Sequence, residues 1–268
     1  MTDPADSSPS APPPEPANTP GRTPGFALAL ALALAKSLFR TSSELCYLAG
    51  TVAWRNRARI LATLSLVALA VLPTIHFCDH AAIRWIESWR TKETVQLGKT
   101  LSTLGELHLA PLGIAVSLWI WTEFARRSHG RIAMGASILA MLVSGIAVQL
   151  PKFVFGRPRP FLNVPDQFGW LQPGWTSFPS GHATHWFALV GALWIFSPRI
   201  SLWVAPLAVV AALARVLVSR HYPSDLLAGA FFGLVFGLCF GLAAKAINER
   251  LGRLPATLTR PSDPEGSS

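Results

Sequence analysis

Six apolar stretches, at about 59–77, 107–125, 132–150, 183–198, 200–218 and 225–247, constrain this chain more than any other feature. Each is long enough to cross the hydrocarbon core of a bilayer, or nearly so, since a spanning helix needs roughly twenty residues. Within lipid, every backbone N–H and C=O has to be satisfied inside the segment, which leaves helices or closed barrels. Alternation of the barrel kind is absent. The expected fold is therefore all-α, a polytopic membrane protein with six transmembrane helices. The fourth stretch is short, and Pro198 and Arg199 set a tight turn into the fifth.

Composition agrees. Only 14% of the residues are charged and 51% are hydrophobic, where a soluble domain carries about a quarter charged. A net charge of +9 reports orientation first in such a chain, so no nucleic-acid partner is expected. Cys46, Cys78 and Cys239 are too scattered for a disulfide framework or a metal knot. Residues 1–25, with eight prolines, read as a disordered tail without the basic start of a signal peptide, and 251–268 read as a second tail. Between them, "FALALALALA" at Phe26–Ala35 is too short to span. With "ELCYLAGTVAW" after it, the 26–58 region reads as short apolar, interfacial segments before a six-span domain at 59–250.

The basic residues orient these spans. A cytoplasmic amino terminus leaves nine of the 23 Lys and Arg outside: Arg84, Arg90, Lys92, Lys99, Lys152, Arg157, Arg159, Arg215 and Arg220. The first four are balanced by Asp79, Glu87, Glu93 and Glu106. The rest sit in or beside the 151–182 and 219–224 loops, so the bias toward positive cytoplasmic loops isolates a cationic cluster on the outer face. Both termini are then cytoplasmic.

Three short stretches meet at that face. In "PKFVFGRPRP", Lys152 stands seven residues before Arg159; "PSGH" runs from Pro179 to His182 at the start of the fourth span; "ARVLVSRHYPSD" holds Arg215, His221 and Asp225. Three cations suit a phosphate, which guanidinium groups hold bidentately. At a helix start, Ser180, Gly181 and His182 present unpaired N–H groups, and the dipole adds about half a positive charge there. His221 and Asp225 are four apart, with Pro223 suited to a first helical position, so one turn sets the carboxylate beside the imidazole. His221 is then a nucleophile and His182 an acid for a leaving alkoxide. Six residues of unbroken helix rotate by about 600°, so Arg215 and His221 can share a site only if the helix ends near Ser219. His182 and His185 lack a local carboxylate or thiol to complete a metal set, so no metal is expected. For Arg157 and Arg220, headgroup contact and catalysis both stay open. The aromatics Phe168, Trp170, Trp175 and Phe178 fit an interfacial belt or a lid over a lipid.

A Lys, six residues and Arg-Pro, then Pro-Ser-Gly-His, then Arg, five residues, His, three residues and Asp resemble the signature of the type-2 phosphatidic acid phosphatase family, which vanadium haloperoxidases share. The likeness covers Lys152 to Asp225, and the six-span plan extends it over most of the chain. It implies an all-helical membrane phosphatase working through a phosphohistidine, without metal or other cofactor. Lys152, Arg159, Ser180, Gly181 and Arg215 would bind phosphate, His221 attack, Asp225 assist it and His182 protonate the leaving group. The spacing selects Arg159 over Arg157. The family usually has Ser before the third-motif Arg, and this chain has Ala214; the guanidinium remains.

The function expected is hydrolysis of a lipid phosphate ester or pyrophosphate at the non-cytoplasmic face of a bacterial inner membrane. Undecaprenyl pyrophosphate, phosphatidic acid, phosphatidylglycerol phosphate and lipid A phosphates are candidate substrates. The partners are that lipid and the bilayer, and the oligomeric state stays open. The same pocket would serve a lipid phosphotransferase. A non-catalytic scaffold would predict a broken site, whereas every expected residue is present. Haloperoxidase relatives are soluble.

Overall fold

The structure is a computed structural model, and it describes residues 24–106, 110–124 and 128–252. The two expected tails lie almost wholly outside these residues. The chain divides into two compact units, Met1–Thr41 and Ser42–Ser268. In the first, residues 24–41 are helical. They begin α1 (Pro24–Arg55), a 32-residue helix that holds Phe26–Ala35. The second unit carries all three motifs.

After α1 come α2 (Arg57–Pro73), a π-helical turn at Thr74–Cys78 and α3 (Asp79–Trp89). Pro73 and the π turn interrupt the regular ladder without ending the run, the usual effect of proline and of an inserted residue. Then follow α4 (Lys92–Leu104), α5 (Ala110–Phe124), α6 (Ser128–Ala147) and α7 (Gln149–Phe155). The set closes with α8 (Gly181–Phe196), α9 (Pro198–Leu217) and α10 (Pro223–Gly252). Thr91 and Thr94 form a reciprocal capping box that starts α4. Proline opens both α9 and α10, where a missing N–H costs nothing. Among the described residues there is no strand, only an isolated bridge between Arg157 and Thr176.

The all-helical expectation holds among these residues, and four of the six expected spans have spanning length. Among the described residues, four runs are long and apolar enough to cross a bilayer: 57–89, 130–155, 198–217 and 223–252. α5 offers a shorter apolar stretch, Ala110–Thr122, and α8 has 16 residues. At 1.5 Å per residue α8 is about 24 Å long, short of the roughly 30 Å hydrocarbon core.

α8 is the buried centre of the unit. Trp186, Ala188, Leu189, Ala192 and Leu193 are all buried, packed with Met141 of α6, Val204 and Ala208 of α9 and Phe240 of α10. The contact with α10 is a backbone contact. A methyl at Gly229, Gly233 or Gly237 would lie 2.3, 2.2 and 2.3 Å from the carbonyl oxygens of Ser180, Thr184 and Ala188. Glycine every fourth residue therefore lets two helices touch along one face, the small-residue packing that replaces hydrophobic drive in lipid. Its consequence is positional: the start of α8 is set against the start of α10, with Ser180 N donating to Asp225 O at 2.9 Å. Trp186 Nε1 donates to Gly105 O at 2.9 Å and ties α8 to the end of α4.

Candidate active site

The start of α8 is built as an anion cradle. Ser180 is the N-cap, with extended backbone, and its hydroxyl makes no capping bond. Ser180 N and Thr184 N have partners. Helix geometry leaves the N–H groups of Gly181, His182 and Ala183 without intrahelical acceptors. Lys152, in the last turn of α7, reaches the same place. Its Cε lies 3.8 Å from where a Gly181 Cβ would stand, and its Nζ donates to Thr176 O at 2.7 Å. Arg159 Nη2 donates to Thr176 Oγ1 at 3.2 Å, so Thr176 holds both cations from the loop before α8. The pKa of Arg159 is lowered by burial and then by the charge of Arg220.

α9 ends at Leu217, as a shared site for Arg215 and His221 requires. Ser219 takes the left-handed conformation, φ 53°, and the amides of Arg220 and His221 turn back onto Arg215 O. This closure is a helix C-cap, and it swings His221 under Arg215. His221 Nδ1 then faces Asp225 Oδ2 at 3.4 Å, one turn into α10. Burial pushes the His221 imidazole down to about 4, assisted by the charges of Lys152 and Arg215 and opposed by Asp225. The ring is therefore neutral at physiological pH.

Asp225 is saturated with donors. Oδ1 accepts from Arg157 Nη1 at 2.8 Å, and Oδ2 accepts from Ser177 Oγ at 2.6 Å and Tyr222 N at 2.9 Å. So many donors fix both its charge and its orientation toward the imidazole.

Arg157, left ambiguous by the sequence, is fully buried and does not face the cradle. Nε donates to Asp166 Oδ1, Nη1 to Ser224 Oγ and Asp225 Oδ1, and Nη2 to Asp79 Oδ2, each at 2.8 Å; Nη2 also bonds Asp166 Oδ2. Its guanidinium carbon stands 3.9 Å over the Tyr222 ring. Burial opposes its charge, but Asp166, Asp225 and Asp79 outweigh burial and raise its pKa above the ordinary value. Asp79, at the start of α3, accepts from Ser224 N at 3.0 Å and so caps α10 from a different element.

Sequence reasoning missed Asp79, Ser177 and Ser224, and it counted Asp79 among the carboxylates that balance Arg84, Arg90, Lys92 and Lys99. A signal was present. Asp79 ends an apolar run, where a carboxylate calls for a buried partner. The aromatics Phe155, Phe168, Trp170 and Phe178 pack on one another with ring centroids 5.6 to 6.4 Å apart. They line an apolar groove of about 610 Å³ between α2 and α10, which also reaches Pro179 beside the cradle. His185 turns away, its Nδ1 3.2 Å from Met141 O of α6.

Among the described residues, the buried side-chain atoms lacking a hydrogen-bond partner include Ser180 Oγ, His182 Nε2 and Arg215 Nε. A buried polar group without a partner costs about 1–3 kcal/mol, so such groups are rare. Here they gather around one cradle, on residues that the three motifs single out.

A family model described as the PAP2 superfamily matches residues 133–248. The chain is 30% identical over 169 residues to the putative undecaprenyl-diphosphatase YbjG of Escherichia coli, a match covering 61% of this chain and 78% of that protein. It is 31% identical over 126 residues to the probable lipid phosphate phosphatase beta of Arabidopsis thaliana, covering 37% of this chain and 59% of that one. With the lipid A 1-phosphatase of Rhizobium etli it shares 34% identity over 106 residues, covering 37% and 46% respectively. The chain thus spans about half the length of these last two relatives. It belongs to the PAP2 superfamily.

Proposed function

We propose that this protein is a lipid phosphate phosphatase that works through a phosphohistidine. The observation that carries the reading is the set of partnerless buried atoms on Ser180, His182 and Arg215, gathered at a helix start. A phosphate with Lys152 and Arg159 beside it would satisfy them together.

In the first step His221 forms a bond to phosphorus as the bond to the lipid oxygen breaks. His182 gives its proton to that oxygen, and Asp225 steadies the imidazole as it gains charge. In the second, His182 takes a proton from water, whose oxygen displaces His221. Ser180, the free N–H groups of α8 and the three cations hold the phosphate oxygens through both steps. The apolar groove beside Pro179 would accept the lipid chain.

The same reading makes α2, α5, α6, α8, α9 and α10 the six crossing helices of a domain at 59–250. The cradle then opens at the non-cytoplasmic face of a bacterial inner membrane. The short α8 suits this, because its polar start stops at headgroup depth. The relatives named for lipid phosphate, lipid A phosphate and undecaprenyl diphosphate suggest which lipids to try. The test is phosphate release from such a panel by detergent-purified protein under excess chelator, beside His221→Ala. Release that survives the chelator and disappears in the variant supports the reading. Release from no lipid by folded protein overturns it.

A further inference from the structure

A cavity of about 770 Å³ adjoins the cradle, walled by α3, α4, the turn around Phe161 and the end of α9. Its charged residues are four cations, Arg90, Lys99, Arg215 and Arg220, against two carboxylates, Glu87 and Glu106. Arg90 donates to Ser219 Oγ, which pins its guanidinium to the turn that carries His221. Arg220 stacks its guanidinium 4.7 Å from the Phe161 ring. Arg215 belongs to both spaces: Nη1 bonds Ser102 Oγ in the cavity wall, while Nε is one of the partnerless buried atoms. Arg220 lies close enough for its charge to act on both Arg159 and Arg215. The proposed reaction uses Arg215 alone of the four. Arg90, Lys99 and Arg220 form an unused positive wall next to the phosphate that is cleaved.

We propose that this cavity is a second anion subsite, which takes a further phosphate of the substrate, so that lipid diphosphates are preferred over lipid monophosphates. The inference rests on the phosphatase reading. In a diphosphate the second phosphorus is one bridging oxygen from the first, and Arg215 at the boundary can hold oxygens of both. The His221–phosphorus bond forms as the bond to the bridging oxygen breaks, and the leaving group is a lipid monophosphate. Its charge stays under Arg90, Lys99 and Arg220. A monophosphate releases an uncharged alcohol after protonation and gives those three cations nothing to hold. Two carboxylates do not neutralise the wall, and Glu106 also acts on Arg215.

The test is a matched pair, one polyprenol as its monophosphate and its diphosphate, hydrolysed by wild type and by R90Q/K99Q/R220Q. The ratio of kcat/KM, diphosphate over monophosphate, should fall at least tenfold in the variant. An unmoved ratio overturns the subsite, and it is also the outcome if these cations grip bilayer headgroups, since both lipids then lose alike. Should loss of the Arg90–Ser219 bond unfold the triple variant, K99Q/R220Q changes only exposed side chains and reads the same ratio.

Calorimetry with inorganic phosphate and inorganic pyrophosphate separates this inference from the reaction. Wild type should bind pyrophosphate at least tenfold more tightly than phosphate, and the variant should lose that preference. A preference without His221-dependent release from either lipid sinks the phosphatase reading and leaves the subsite standing. Release without a preference sinks the subsite alone.

Discussion

Arg157 shows how one side chain can govern a site it does not enter. All five N–H groups of its guanidinium are taken, by Asp79, Asp166, Asp225 and Ser224. One of those bonds orients the carboxylate behind His221. Removing one partner from a buried charge network leaves uncompensated charge and costs about 3–5 kcal/mol. Arg157→Met should therefore lower the midpoint of thermal unfolding in detergent well below wild type. Arg157→Lys should rescue only part of it, because an ammonium has three donors and no fork. A midpoint unchanged in Arg157→Met would contradict the network. His221 carries a pH signature. Its folded pKa lies at about 4, below the ordinary value of about 6.5, so protons bind the unfolded chain first as pH falls. Its contribution to stability is complete above about 6.5 and is withdrawn as pH drops toward 4. The nucleophile is likewise neutral through that window. The acid limb of kcat/KM, corrected for ionisation of the substrate, should lie near 4 to 5, and a limb at 6.5 would contradict it.

At the scale of elements, the cradle depends on α8 and α10 meeting backbone to backbone. Gly233→Ala would set a methyl 2.2 Å from Thr184 O, with backbone and not a flexible side chain in the way. Overpacking of this kind costs about 1–3 kcal/mol, and here it also shifts the start of α8 away from Asp225. Gly113→Ala in α5 meets nothing within 4 Å, so it should be neutral or gain helix propensity. Thermal midpoints and phosphate release of the two variants read the contrast; equal behaviour would rule out the glycine stripe as the feature that positions α8. The elements of the candidate site were legible because their signals are local. Pro-Ser-Gly-His announces a helix start, His221 and Asp225 are one turn apart, and Pro223 marks where α10 begins. What was not legible is long-range. Asp79 reaches Arg157 across 78 positions, and nothing near either residue names the other. The cavity cations Arg90 and Lys99 likewise come from α3 and α4, outside all three motifs.

For the whole molecule, hydropathy conveyed an all-helical chain, and among the described residues four of its six apolar stretches form helices of spanning length. Within the stretch at 107–125 the described residues hold an apolar helix at Ala110–Thr122, and α8 stops at Phe196. The proposed topology needs α5 and α8 to cross as well as these four. Asn163, exposed in the loop above the cradle, reports on this. With the three native cysteines replaced by serine, Asn163→Cys in intact cells should react with a membrane-impermeant maleimide; reaction only after lysis would invert the orientation. Transfer of phosphate through a covalent bond to His221 is the step on which the proposed function turns, and rapid acid-free quenching of wild type with 32P-labelled lipid tests it most directly. Wild type should carry label that is stable to alkali, lost in acid and mapped to His221, with none in His221→Ala. Label on Ser180 that survives acid, or full turnover by His221→Ala, would contradict it.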